Sequence, residues 1–213
     1  MIHPPGFRGA VFATAAEGDA RVDAEARRRL SSSLGVSSEW AFVTQIHGSS
    51  SLEAKTPGRL GDADALYTTR RDLPIAVASA DCVPVIIEGA DVVAVLHAGW
   101  RGAVAGVVPF TLARLAKEGL TVERAAIGPS IGPCCYEVGE EVAASFETFT
   151  AVTDWGTTSV DIAGFVAQQL ETVLDQRDVW RSEACTYTST ALHSYRKTRS
   201  QDRQVAVGWI PQD

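Results

Sequence analysis

The sequence predicts an α+β domain. Short apolar runs crowd together between residues 63 and 98 with no helical pattern among them, which a regular β-α alternation would not produce. Helical patterns fall on either side, at 21–35, 101–118 and after Asp161, so strands come in clusters with helices interspersed. At 213 residues, with no internal repeat, low-complexity tract or linker, the chain suits a single domain over 1–213. That length buries a sizeable core without disulfides or metals as staples.

Taken in order, "GAVFATA" (9–15) predicts a first strand and "RVDAEARRRLSSSLG" a helix closed by Gly35. "WAFVTQIHG" reads as a strand ending at His47. "ADALYTT", "PIAVASAD" and "VPVIIEGADVVAVLHAG" supply further strands rich in Val, Ile and Ala. The helix at 101–118 keeps Val104, Val107, Val108, Leu112 and Leu115 at apolar positions, and Pro109 should kink or divide it. "ERAAIGPSIGPCC" is a strand running into a Gly/Pro loop, followed by a helix in "VGEEVAASFETF". Asp161 is a suitable N-cap for "IAGFVAQQLETVLDQR", and "RQVAVGWI" reads as a closing strand.

A net charge of −7 argues against a general nucleic-acid binder, although it leaves room for a local basic pocket. No run approaches 18 consecutive apolar residues, and "MIHPPGFRGAVFATA" lacks the plan of a signal peptide. A cytosolic protein without a membrane partner is expected. Cys82, Cys134, Cys135 and Cys185 contain no C-x-x-C pair and read as thiols.

The reactive residues gather at strand ends. Among the four histidines, His3 sits in a terminus expected to be mobile, and His193 reads as locally packed. His47 ends "TQIHG" and His97 ends "VLHAG", where either alone could be a core histidine. Cys82, in "SADCVPV", completes a His-Cys-His set suited to a three-ligand zinc site with an open fourth position. The spacings match no compact zinc-finger pattern, and a Cys82 nucleophile with His97 as its base competes with the metal reading. In "HAGWRG" (97–102), Arg101 at a helix start suits a phosphate or carboxylate. Gly99 and Gly102 allow close approach of a ligand, and Trp100 is either a stacking wall or a packed aromatic. Cys134 and Cys135, being adjacent, are disfavoured as joint zinc ligands and read as structural. Tyr136 is a packing residue or a pocket wall, and Asp81 is a neighbour of interest.

"TQIHG", "ADALYTT…PIAVASADCVPV", "AVLHAGWRG", "IGPSIGPCCYEVGEEV" and "CTY…HSYRK" resemble, in that order, the motifs of the YfiH/YlmD-like family. This FAMIN-related family was formerly labelled a multicopper polyphenol oxidase or laccase family, and the match covers roughly residues 40–210. The resemblance implies face-to-face β-sheets with helices packed outside. It implies purine nucleoside phosphorylase activity on adenosine, inosine and methylthioadenosine, with adenosine deaminase activity at the same site. Zinc is implied on His47, Cys82 and His97; together with the chemistry of the 97–102 corner this makes Cys82, His97 and Arg101 the candidate catalytic residues, with Arg101 and Gly99 expected at the substrate. The expected partners are a small-molecule nucleoside and phosphate; the oligomeric state is left open.

Two positions depart from the family pattern. Ala15 stands where an arginine is expected, and "HSYRKT" replaces a Phe-Ser-Tyr-Arg-Arg segment, which puts a substrate or phosphate contact in question. The oxidase label fails on histidine arithmetic. A blue-copper site takes two His and one Cys, after which only His3 and His193 remain for a trinuclear cluster. Adventitious copper at the His-Cys-His set remains compatible. Deamination would draw on water made more acidic by zinc, yet the H-x-E and P-C-x-x-C signatures of familiar zinc deaminases are missing. Two other classes stay open at this stage: an amidohydrolase editing a cell-wall precursor, and a metal-binding domain with reduced activity.

Overall fold

The computed structural model describes residues 1–212. In chain order the elements are β1 (Ala10–Phe12), α1 (Ala24–Leu34), β2 (Ala41–Thr44), β3 (Ser51–Glu53), β4 (Gly58–Asp62), β5 (Ala65–Thr68) and β6 (Ile75–Ser79). Then follow β7 (Val83–Glu88), β8 (Val93–Ala98), α2 (Trp100–Val104), α3 (Val107–Lys117), β9 (Arg124–Ile127), α4 (Glu140–Ala144), β10 (Thr150–Val152) and β11 (Thr158–Val160). The chain ends with α5 (Ile162–Leu170), β12 (Val179–Arg181), α6 (Tyr195–Thr198) and β13 (Gln204–Gly208).

Two mixed sheets carry the domain. One has the order β1-β13-β6-β2-β4, the other β12-β9-β7-β8-β5-β3, and β10-β11 form a separate hairpin. Strand periodicity assigns the layers. In β13, Val205 and Val207 pack under α1 with Leu30 and Trp40, whereas Ala206 turns inward to the second sheet. In β7 and β8, Val85, Ile87, Ala94 and Leu96 meet α3 and α5, while Ile86, Val93 and Val95 face the first sheet. The result is helix, sheet, sheet, helix, which is the α+β architecture with face-to-face sheets. Central strands are buried on both faces, so they read as continuous apolar runs without polar alternation. Each fully buried Leu, Ile or Val contributes about 1.5–3 kcal/mol relative to exposure, and Leu96, Ile87 and Leu115 are all wholly buried.

Helix caps follow the sequence closely. Asp23 accepts from the Glu25 and Ala26 N–H groups, Gly35 closes α1 at φ 67°, and Asp161 accepts from Gly164 N–H. The helix expected over 101–118 is divided, but not by Pro109. Gly106 at φ 83° makes the break, and Pro109 sits in the first turn of α3, where its missing N–H costs nothing. The break also leaves Val104 46% exposed instead of on the apolar stripe. The N-terminus is pinned rather than loose, because Ile2 and Phe12 exchange both backbone hydrogen bonds. No helix among the described residues is long and apolar enough to cross a membrane.

Candidate metal centre and flanking cavities

β2 stops at Thr44, three residues short of the expected end, so His47 is carried on a turn and not on a strand. The cause is a buried carboxylate. Asp64, immediately before β5 and fully buried, accepts from the N–H groups of Ile46 (3.2 Å), His47 (3.0 Å) and Gly48 (2.6 Å). Three successive N–H groups converge on one anion only if the chain bends sharply, and His47 takes φ 59° to do so. The same carboxylate accepts the His97 Nδ1–H at 2.9 Å, which leaves Nε2 as the nitrogen that faces Cys82 and that a metal would take. Asp64 thus sets both the turn of one candidate ligand and the ring of another. Residue-type reasoning missed it, although its place between "TQIHG" and the β5 run is visible in the sequence.

Cys82 enters β7 directly after Asp81, itself at φ 92°. On the neighbouring strand β8, His97 pairs with Pro84 and is only 3% exposed. One ligand atom from each of His47, Cys82 and His97 falls within 4.8 Å of the other two, and the imidazole rings meet edge-to-face at 4.9 Å. Burial pushes the Cys82 thiol up, but the His97 charge and hydrogen bonds from both imidazoles outweigh it and hold the pKa at about 6. Burial lowers the His97 pKa, yet the Cys82 thiolate and Asp64 carry it up to about 9. Asp64 is opposed by its own burial and still lies below the usual carboxylate range, held there by His97 and the backbone donors.

The donor set fits a metal. Two imidazole nitrogens and a thiolate are borderline-soft ligands suited to zinc or copper. Space has been cleared for them: a Cβ on Gly99 would lie 2.8 Å from His47 Cδ2 and 3.2 Å from Cys82 Sγ. Gly99 therefore seats two ligands, and its φ of −69° shows that conformational freedom is not the reason for it. Gly102 admits the His47 turn in the same way, since its Cβ would lie 2.9 Å from Gly48 O.

Two cavities adjoin the trio. One of about 440 Å³ is lined by Thr44, Gln45, Ser79, Tyr195 and the arginines Arg21, Arg59 and Arg203, beside all three ligands. Its volume falls in the usual range for small-molecule sites. Buried Arg21 Nε and Ser79 Oγ, both on its lining residues, have no hydrogen-bond partner among the described residues. The other, about 150 Å³, is bounded by Asp81, Trp100, Arg101, Ile131, Tyr136 and Ile162, with His47 and Cys82 on one side.

The remaining predicted site residues resolve as follows. Arg101 is exposed, its guanidinium lies 4.3 Å over the Trp100 ring, and no carboxylate pairs with it among the described residues. The dipole expected from an 18-residue helix shrinks to the five residues of α2, so an anion here would depend on the guanidinium. Asp81 is committed elsewhere, accepting Thr186 Oγ1–H at 2.6 Å and Arg196 N–H at 2.6 Å. Tyr136 does line a cavity; burial and the nearby Cys82 raise its pKa to about 12, and the Arg196 guanidinium lies 4.9 Å over its ring. Ala15 lines neither cavity, its N–H bonding to Ala191 O. His3 is exposed, and His193 binds Gln204 through its backbone. Cys134 and Cys135, expected to be structural, do not stand alone: Cys185 joins them in a second cluster.

The family model described as multi-copper polyphenol oxidoreductase laccase matches residues 8–211. A purine nucleoside phosphorylase from Deinococcus radiodurans is 35% identical over 204 residues, covering 91% of this chain and 79% of that protein. An adenosine deaminase designated RL5, from an unknown prokaryotic organism, is 44% identical over 92 residues, covering 41% of this chain and 35% of that protein. Among solved structures, YlmD from Geobacillus stearothermophilus superposes with a TM-score of 0.86 at 26% identity, covering 98% of this chain and 94% of that one. With the motifs in order, the His-Cys-His cluster assembled and the fold matched along nearly its whole length, the chain belongs to the YfiH/YlmD-like family.

Proposed function

We propose that this protein is a zinc-dependent purine nucleoside phosphorylase, acting on adenosine, inosine and methylthioadenosine, with adenosine deaminase activity at the same centre. The observation that carries the reading is the His47–Cys82–His97 cluster beside a nucleoside-sized cavity and a small one lined by Arg101. The names of the relatives favour the same chemistry. His47, Cys82 and His97 would hold the metal, with copper an alternative for the same donors. Zinc, when bound, supplies Lewis acidity and makes water more acidic.

The chain's own residues divide the remaining work. The 440 Å³ cavity takes the nucleoside, and phosphate enters from the 150 Å³ cavity beside Arg101, meeting the ribose where the two linings share His47 and Cys82. Arg101 offers a planar fork for two phosphate oxygens, and Trp100 under it limits its freedom. A phosphate oxygen bonds to the anomeric carbon as the glycosidic C–N bond breaks. The bonding pair leaves with the purine, which takes up a proton, and ribose 1-phosphate is the other product. Asp64 acts throughout as a positioning residue, holding the His97 ring and the His47 turn.

Purified protein incubated with adenosine, with and without inorganic phosphate, tests the reading by product analysis. Adenine and ribose 1-phosphate formed only with phosphate are expected from the phosphorylase, and inosine from the deaminase. Intact adenosine under both conditions, in protein shown to carry its metal, refutes it.

A further inference from the structure

Three of the four cysteines play no part in the centre above. Cys134 and Cys135 lie on the loop after β9, and Cys185 lies on the segment after β12. The two segments run side by side: Ser130 bridges to Cys185, and the Thr186 N–H donates to Ser130 O at 3.0 Å. That pairing brings three sulfurs to one point. Cys134 Sγ is 2.7 Å from Cys135 Sγ and 3.7 Å from Cys185 Sγ, and all three lie within 4.8 Å of one another. Cys135 is buried; Cys134 and Cys185 are half-buried and line a cavity of about 460 Å³ that Glu183 also borders.

We propose that Cys134, Cys135 and Cys185 form a second metal centre, for a soft closed-shell cation, Cu(I) or Zn(II), independent of His47–Cys82–His97.

Donor chemistry favours this class of ion, because an all-sulfur set selects soft cations and offers nothing to magnesium or calcium. Geometry agrees. Thiolates about 2.3 Å from one ion stand roughly 3.8–4 Å apart. Cys134 and Cys185, at 3.7 Å, already meet that spacing, and the Cys135 sulfur, 2.7 Å from that of Cys134, would have to move outward to reach it. The Gly132 N–H donates to Cys185 Sγ at 3.2 Å, a backbone–sulfur bond of the kind that supports ligating thiolates. Cu(I) can be satisfied by the three sulfurs alone; zinc would take a fourth ligand from the cavity that Cys134 and Cys185 line. An ion here would also brace the Gly/Pro loop, whose Ile131 and Tyr136 wall the cavity at the first centre.

The test uses the full chain, stripped by chelator and kept reduced by a thiol-free reductant. It is titrated with Zn(II) against a chromophoric chelator, and separately with Cu(I) against bicinchoninate. Wild type should take up about two ions per chain with at least one of the metals, one at each centre. Cys82→Ser and Cys185→Ser should each lose one ion, and the double variant both. The metal that fills the site missing from Cys185→Ser identifies its preference. Alkylation read by mass spectrometry needs no substitution in the trio: Cys134 and Cys185 should label freely in stripped protein and be protected by the ion, in wild type and Cys82→Ser alike. One ion per chain with either metal, lost in Cys82→Ser, would overturn the proposal. So would equal labelling of the trio with and without metal. A disulfide within the trio that persists under the reductant would reassign the cluster to redox chemistry and equally overturn it.

Discussion

Asp64→Asn changes one atom in a residue that no substrate touches, and it should weaken the metal centre. In the native carboxylate, Oδ1 serves the His47 N–H and His97 Nδ1–H, while Oδ2 serves the Ile46 and Gly48 N–H groups. An amide has one acceptor oxygen. If it keeps the His47 and His97 donors, its NH₂ faces the N–H groups of Ile46 and Gly48; if it flips, it faces the two histidines. Two buried donors lose their acceptor in either orientation. A hydrogen bond to a charged group contributes about 1.5–3 kcal/mol. Losing the outer partner of a ligating histidine usually costs about 10–100-fold in metal affinity. The expected result is a zinc dissociation constant raised by roughly one to two orders of magnitude, measured by chelator competition. Melting of the stripped protein should fall by several degrees, since about 1 kcal/mol moves a domain of this size by roughly 2–4 °C. Unchanged zinc affinity with a lowered melting temperature would confine Asp64 to folding and refute this account of the His47 turn and His97 ring.

Gly99→Ala should lower metal content at the first centre, because its Cβ would meet His47 Cδ2 at 2.8 Å, whereas Gly139→Ala, with nothing within 4 Å, should leave it unchanged by elemental analysis. In chelator-stripped protein, the alkylation rate of Cys82 should rise through about pH 6 and level off above it, because its depressed pKa leaves the reactive thiolate populated there. A rate still climbing through about 8.5, where ordinary thiols ionise, would contradict the thiolate–imidazolium pairing. Arg101→Ala should cut phosphate use by roughly tenfold or more, from a loss of about 1.5–3 kcal/mol, with near-normal zinc content. Arg101→Lys should recover only part of that loss, and unchanged phosphate kinetics with a lowered melting temperature would assign the residue to structure.

Residue chemistry and order along the chain were enough to single out His47, Cys82 and His97 as candidates and to name the class of fold. Both faces of β7 and β8 are buried, so their runs stay apolar throughout and announce strands. His47, Cys82 and His97 each border such a run, which made them candidates before any geometry was known. The helix caps at Gly35 and Asp161 are local chemistry and were legible for the same reason. The edge strands β3, β4 and β12 and the hairpin β10–β11 were not, because short edge segments such as "GRLGD" bury too little to need an apolar pattern. The break at Gly106 instead of Pro109 depended on a left-handed backbone angle that packing imposes, since a proline in a first turn is harmless.

What only tertiary structure decided is how distant groups share one charge or one point in space. Asp64 lies 17 residues from His47 and 33 from His97, yet it binds both, and no local pattern marks a carboxylate whose partners come from other elements. Cys134 and Cys135 looked structural because neighbouring thiols make a poor pair by themselves. The third sulfur arrives from Cys185, 51 residues from Cys134, through the pairing of the loop after β9 with the segment after β12. A sequence fixes which side chains can ionise, ligate or pack, because those are properties of the residue. Which of them meet depends on strand order and register, and these are set by burial of the whole chain.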